Sequence, residues 1–290
     1  MAGLQHLSAA RTARSSGRYR VQLPTTSRSS VSAAARVAAV EVSTQPTFGN
    51  EAQALAEAAG YPLPRELEGF LSRTECEALI ALADPAMSPS KVDTDADLGG
   101  RSATRTSSSA EMPHQARTEL AVLRTVGERV AELTGLSVEH QEPIQVVRYE
   151  PGQEFQAHFD TGGKEAAALW LGRRQYTVLL YLNESFEGGA TGFPELAGAR
   201  VIPRTGKALL FANLSPAEGG GGAEVAPLSK HSGEPVTTGV KYAANVWVRE
   251  KRYLQPPGFQ LAAAVAYLAV WLVGMVTVAT VFQPSWLVPH

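Results

Sequence analysis

The stretch Gln145-Val-Val-Arg-Tyr-Glu-Pro-Gly-Gln-Glu-Phe-Gln-Ala-His-Phe-Asp160 decides how this chain is read. It opens as a strand, because β-branched and aromatic residues alternate over residues 144–149. Pro151-Gly152 then punctuates a turn. A second strand, 154–160, sets Phe155, Ala157 and Phe159 against Gln156, His158 and Asp160. Successive side chains of a strand point to opposite faces, so His158 and Asp160 share one.

Period-two runs continue outward from this stretch. Residues 176–182, 199–202, 208–212 and 242–248 read as strands punctuated by Gly, Pro and Asn. Within 176–182, Thr177, Leu179 and Tyr181 oppose Val178, Leu180 and Leu182. Many strands without long intervening helices predict an antiparallel sandwich or barrel, here a jelly roll. Upstream, residues 50–135 read as helices with loops. Asn50 is placed to cap a helix over 51–59 that Gly60 stops. Phe70-Leu71 reads as a short strand. Thr74-Glu75-Cys76-Glu77 reads as a capping box before the apolar face of Cys76, Leu79 and Ile80. A longer helix over 114–134 carries Leu120, Leu123, Val126, Val130 and Leu133 on one face and ends at Gly135. Residues 84–112 read as loop, and the alternation of Asp93, Asp95 and Asp97 lacks the later Gly and Glu of a calcium loop. The fold class is α+β, mainly β: a double-stranded β-helix (jelly roll) core with N-terminal helices packed on it, plus a C-terminal transmembrane helix.

His231 and Lys241 lie far downstream of the His-x-Asp pair. Two imidazoles and one carboxylate fill one face of an octahedral Fe(II) and leave three positions for chemistry, although the ligands alone also suit zinc. Lys241 opens the strand 242–248, on the face of Asn245 and Trp247. A lysine in a β cavity needs an anion, because an unpaired buried charge is costly. A dicarboxylate co-substrate supplies one, its far carboxylate pairing with Lys241 and accepting a hydrogen bond from Thr177.

The opening stretch resembles the first metal-ligand region of the prolyl 4-hydroxylase family of Fe(II)/2-oxoglutarate-dependent dioxygenases. Further pieces follow in the family's order: Arg174-Gln-Tyr-Thr through Tyr181-Leu182, Gly188-Gly-Ala-Thr-Gly-Phe-Pro194, Pro203-Arg-Thr-Gly-Lys-Ala-Leu-Leu-Phe211, His231, and Gly239-Val-Lys241 through Trp247. Arg105-Thr106-Ser107 resembles a segment on a mobile loop of the family. The likeness covers about residues 65–253. It implies metal ligands His158, Asp160 and His231, and a 2-oxoglutarate pocket with Lys241, Thr177 and Tyr149. It also implies L-ascorbate as a cofactor, O2 as co-substrate and a proline-containing peptide or protein as substrate. The reaction would release succinate and CO2. Two other readings stay open: a 2-oxoglutarate oxygenase acting on another amino acid or a small molecule, and a membrane-tethered binding module that keeps the site without turnover.

Composition sets the surroundings. The 290 residues carry 26 Lys and Arg against 28 Asp and Glu, a net charge of −2, which argues against nucleic acid as a partner. The single cysteine, Cys76, excludes an intramolecular disulfide. Residues 1–40 hold six Arg and no Asp or Glu, and residues 1–45 read as a disordered, transit-peptide-like segment. Residues 50–253 form the predicted dioxygenase domain and 254–260 a linker with Pro256-Pro257-Gly258. Residues 261–282 run without a charge and would span about 33 Å as a helix, enough for a bilayer. The reading is therefore a membrane-anchored protein, with plastid favoured and mitochondrion or endoplasmic reticulum as alternatives. Two Asn-x-Ser sites, at Asn183 and Asn213, are expected to be unglycosylated turn residues.

Overall fold

The computed structural model describes residues 48–90, 104–114, 116–161, 171–215 and 223–253. The chain first forms α1 (Asn50–Ala58), β1 (Arg65–Leu67), α2 (Arg73–Ala83), β2 (Ser88–Pro89) and β3 (Ser108–Met112). Next come α3 (Ala116–Glu119), α4 (Ala121–Thr134), β4 (Ile144–Tyr149), β5 (Phe155–His158) and β6 (Arg174–Tyr181). Then follow β7 (Phe186–Gly188), β8 (Thr191–Phe193), β9 (Ala199–Val201), β10 (Ala208–Ala212), β11 (Leu214–Ser215) and β12 (Glu224–Val225). The last strands are β13 (His231–Gly233), β14 (Val236–Gly239) and β15 (Lys241–Arg249).

A seven-stranded antiparallel sheet runs β1-β10-β6-β15-β4-β3-β2, and a four-stranded sheet runs β5-β13-β8-β9. Side-chain parity then builds the layers. Val178 and Leu180 of β6, Ile144 and Val146 of β4, and Ala244, Val246 and Val248 of β15 pack with α2 and α4 residues Leu79, Leu123, Val126 and Val130. Burying each such side chain is worth roughly 1.5–3 kcal/mol, and the helices have no other way to cover their apolar stripe. The opposite parity of the large sheet, Tyr181, Leu209 and Phe211, packs with Phe193 and Val201 of the small sheet. The mainly β core with few helices is the architecture the strand pattern predicts. The space between the two sheets is where the polar residues Gln145, Thr177, Lys241, Asn245 and Trp247 point.

Several local expectations are corrected. Residues 84–112 are not all loop: Asp84–Ala86 is a 3-10 turn, and β3 pairs with β4. Ser108 and Ser109 dilute the β signal, yet Ala110 and Met112 reach the core. Asp93, Asp95 and Asp97 lie outside the described residues. The strand expected at Phe70-Leu71 is instead β1, and both residues are buried in the turn after it. The cap of α2 is Ser72, whose hydroxyl accepts from the Glu75 amide while Glu75 reaches back to the Ser72 amide. Asn50 opens α1 rather than capping it; Gly49 is the cap. The 114–134 helix breaks at Leu120, whose extended backbone (φ −106°, ψ 112°) separates α3 from α4. Gly135 closes α4 in the left-handed conformation, as predicted. The transit-peptide-like segment 1–45, the linker 254–260 and the apolar run 261–282 lie outside the described residues. Among the described residues no helix is long and apolar enough to cross a membrane.

Cys76 is fully buried, and burial pushes its thiol up to about 11, so it is a packing residue and a poor nucleophile. Asn213 is fully buried and Asn183 is tied to the backbone of Val240 and Tyr242, so neither amide is presented for glycosylation in the folded chain.

Gly206 joins the helical layer to the large sheet. Its φ is +83°, its carbonyl accepts from the Leu71 amide at 2.9 Å, and a Cβ there would sit 2.1 Å from the Leu71 carbonyl oxygen. Gly206→Ala should therefore cost about 2 kcal/mol or more. Urea unfolding should show a lower midpoint with an unchanged slope.

Candidate active site

His158 of β5 and His231 of β13 are direct cross-strand partners, so antiparallel pairing alone brings the two imidazoles together. Their ring centroids lie 4.4 Å apart. Each Nδ1 faces the carbonyl two residues earlier, Gln156 at 2.8 Å and Ser229 at 2.9 Å. A carbonyl only accepts, so Nδ1 is the donor in each ring and Nε2 is the nitrogen left to ligate a metal. Asp160 follows β5, with Oδ1 3.4 Å from His158 Nε2 and Oδ2 3.6 Å from His231 Nε2. Ligand atoms of all three residues lie within 4.8 Å of one another. Donors about 2.1 Å from an ion and at right angles would be about 3 Å apart, so small side-chain rotations suffice to enclose a divalent first-row metal.

A bulge refines the predicted faces. His231 pairs with His158 but Gly233 pairs with Phe155, so β5 carries one extra residue between the two pairs. That slip turns Phe155 onto the His158 side, where the rings stack at 3.5 Å. Parity alone had placed Phe155 on the other face.

The electrostatics suit ligation at neutral pH. Burial pushes His231 down to about 4, against the pull of Asp160. Burial opposes ionisation of Asp160, but the neighbouring imidazoles and hydrogen bonds hold its carboxyl well below the usual range. For His231 the unfolded chain binds more protons than the folded one between about 4 and 6.5, so this part of the stability is complete above 6.5 and is lost as pH falls towards 4.

The pocket leads from these residues to Lys241. Its walls include Val147, Leu179 and Ala243, and Tyr149, Thr191, Ser232 and Asn245 add polar atoms. The open space, mouth included, is about 430 Å³. Lys241 is 3% exposed and pairs across the sheet with Tyr149. Its Nζ donates to the Gly189 carbonyl at 2.6 Å and lies 5.3 Å from the Tyr149 ring centroid. No carboxylate among the described residues comes within ion-pair distance of it. Burial, only partly offset by Glu234, pushes the ammonium down to about 8.

Thr177 does not stand where the sequence reading put it. Its cross-strand partner on β15 is Trp247, six residues from Lys241 and so about 20 Å along the strand. Its hydroxyl donates to Asp160 Oδ2 at 2.9 Å and it does not line the pocket. The threonine that does line the pocket with Lys241 is Thr191, whose Oγ1 is 2.8 Å from the Tyr181 hydroxyl. Its signal lay in the Gly-Gly-Ala-Thr turn, where Gly189 brings the chain close to Lys241. Trp247 was also missed as a partner of Asp160: its Nε1 donates to Oδ2 at 2.9 Å.

The family model for the 2OG-Fe(II) oxygenase superfamily matches residues 144–249, which contain all of these site residues. Among curated proteins, the chain is 35% identical over 203 residues to probable prolyl 4-hydroxylase 3 of Arabidopsis thaliana, covering 63% of this chain and 68% of that one. The chain belongs to the prolyl 4-hydroxylase family. It is also 34% identical to prolyl 4-hydroxylase 1 of the same plant over 198 residues, 64% of this chain and 68% of that one. Prolyl 4-hydroxylase 5 is 33% identical over 196 residues, 61% of this chain and 65% of that one. Among solved structures, the viral collagen prolyl hydroxylase of Paramecium bursaria chlorella virus 1, in complex with 2-oxoglutarate, is similar at 26% identity. That match covers 64% of this chain and 96% of that one, with a TM-score of 0.49.

The residues present fit the Fe(II) and 2-oxoglutarate that the family name implies. The donor set is two imidazoles, each with Nδ1 on a backbone carbonyl, and one carboxylate held ionised. The other end of the pocket offers a buried cation whose Nζ donates to a neutral carbonyl and has no carboxylate within ion-pair distance among the described residues.

Proposed function

We propose that this protein hydroxylates prolyl residues of a peptide or protein, consuming 2-oxoglutarate and O2 and releasing succinate and CO2. The observation that carries this reading is Lys241: a buried ammonium with no carboxylate in ion-pair range among the described residues, at the far end of a pocket that closes on His158, Asp160 and His231. A dicarboxylate bridging the two ends satisfies both. His158, Asp160 and His231 would hold Fe(II), which supplies the O2-activating chemistry when bound. Lys241 would pair with the far carboxylate of 2-oxoglutarate, and the neutral hydroxyls of Tyr149 and Thr191 would flank it as donors. The apolar walls exclude water and strengthen that pairing. L-ascorbate would serve as the reductant that keeps the iron ferrous.

The setting belongs to the same reading. The apolar run 261–282 would anchor the protein in a membrane, with 254–260 as linker to the dioxygenase domain at 50–253. The acid-free residues 1–40 would direct it to a plastid. Carbonate extraction of the expressed full chain should leave it in the membrane pellet; release into the supernatant would remove the anchor from the account.

Succinate formation by the full chain with Fe(II), ascorbate and a panel of peptides tests the substrate class. Proline-containing peptides should raise turnover well above the peptide-free rate. Equal rates with and without proline would direct the search to another amino acid or a small molecule.

The pH dependence follows from Lys241. The free ammonium titrates near 8, so at pH 9 roughly one pocket in ten stays charged, and 2-oxoglutarate binding should weaken about tenfold between pH 7 and 9. Calorimetric titration with metal present checks this, and a flat profile would contradict it. The stability effect has the opposite sense: the folded group titrates below the unfolded one, so stability rises with pH between about 8 and 10.5.

A further inference from the structure

Asp160 is gripped by groups that play no part in the reading above. Its Oδ2 accepts two hydrogen bonds, from Thr177 Oγ1 and from Trp247 Nε1, each at 2.9 Å. Thr177 and Trp247 are cross-strand partners on β6 and β15, so both donors come from the rigid centre of the large sheet. The direction of the threonine bond is fixed. Asn213 Nδ2 donates to Thr177 Oγ1 at 2.9 Å, so the hydroxyl hydrogen must point at Asp160. Trp247 is held in turn by Arg174, whose guanidinium lies 3.6 Å over the indole and is bound by both oxygens of Glu142 at 2.6 and 2.8 Å. Thr177, Trp247 and Asn213 are all buried, so water does not compete for these bonds.

We infer that Thr177 and Trp247 are positioning residues that clamp Oδ2 of Asp160, so that Oδ1 is offered to the metal and the carboxylate ligates through one oxygen. Two donors take up Oδ2, the oxygen a second metal contact would otherwise need. A cation over the indole face draws electron density from the ring and makes its N–H a stronger donor. The clamp thereby limits the coordination number and leaves positions open for the co-substrate. It explains why a threonine stands so far from Lys241, and why the Arg174–Glu142 ion pair sits against the Trp247 indole. This inference rests on the metal reading of His158, Asp160 and His231.

Titration of the purified full chain with Co(II), as a spectroscopic stand-in for Fe(II), tests it without turnover. Thr177→Val removes the hydroxyl at constant shape, Thr177→Ser restores it, and Trp247→Phe removes the N–H but keeps a ring under Arg174. Thr177→Val and Trp247→Phe should each weaken Co(II) binding about tenfold or more and change the visible d–d spectrum as the freed oxygen joins the coordination. Thr177→Ser should bind and absorb like the wild type, which a merely structural role would not require. Wild-type affinity and spectrum in Thr177→Val and Trp247→Phe would overturn the clamp, as would Thr177→Ser failing to restore what Thr177→Val loses. If Trp247→Phe does not fold, the threonine pair decides alone. Failure of the wild type itself to bind Co(II) would overturn the metal reading, a result distinct from binding that the variants leave unchanged.

Discussion

Lys241→Met should raise the Michaelis constant for 2-oxoglutarate about 30-fold or more while leaving the metal-free protein at least as stable as the wild type. The two halves of this result separate the account from a structural role. Methionine keeps an unbranched side chain of similar size and removes the ammonium, with its hydrogen bond to Gly189 and its contacts over the Tyr149 and Tyr181 rings. In the metal-free protein that charge is a cost, because burial already pushes the ammonium down to about 8. Removing it relieves the desolvation penalty, so the melting temperature should hold or rise. With 2-oxoglutarate bound, the same substitution leaves a carboxylate buried without its cation. Truncating one partner of a buried charge pair costs about 2–5 kcal/mol, or roughly 30-fold to several thousand-fold in affinity. Succinate formation against 2-oxoglutarate concentration, beside a thermal melt, gives both numbers. An unchanged Michaelis constant would remove Lys241 from the co-substrate site.

The largest effect is expected from His158→Ala. Its side chain keeps about a fifth of its area in water and packs mainly on Phe155, so its removal should cost less than about 2 kcal/mol of stability. Activity should fall at least a thousandfold. Two ligands in place of three leave the metal loosely bound and free to adopt other geometries, while the pocket and Lys241 remain intact. Circular dichroism like that of the wild type, together with loss of succinate release at saturating Fe(II), is the predicted pair of observations. Full turnover in this variant would show that His158 is not a ligand.

Much of this site is written in the period-two pattern. The opposition of Thr177, Leu179 and Tyr181 to Val178, Leu180 and Leu182 is the division between the small-sheet face and the helix face of β6. The same parity puts Lys241, Asn245 and Trp247 on the cavity side of β15. What the sequence hides is non-local or too short for a pattern. The three-residue strands β8 and β13 carry glycine and polar residues that give little β signal, and sheet pairing alone makes them strands. The extra residue of β5 has no local mark, so the turn of Phe155 towards His158 emerges only from its pairing with β13. Thr177 and Thr191 are alike as residues, and spacing alone cannot say which faces Lys241. The register of β6 on β15 decides it, because it sets Thr177 opposite Trp247. The cap of α2 was misjudged because Ser72 and Thr74 both precede acidic residues at plausible spacing, and only the backbone at Ser72 is extended.

The central claim is that one turnover divides O2 between 2-oxoglutarate and a prolyl residue at this pocket. Mass spectrometry of the products after reaction of the full chain under 18O2, with Fe(II), 2-oxoglutarate and a proline-containing peptide, tests it most directly. The account predicts one 18O atom in succinate and one in hydroxyproline, in equal amounts. Labelled succinate without hydroxyproline for every peptide offered would contradict it, and so would hydroxyproline formed in the absence of 2-oxoglutarate.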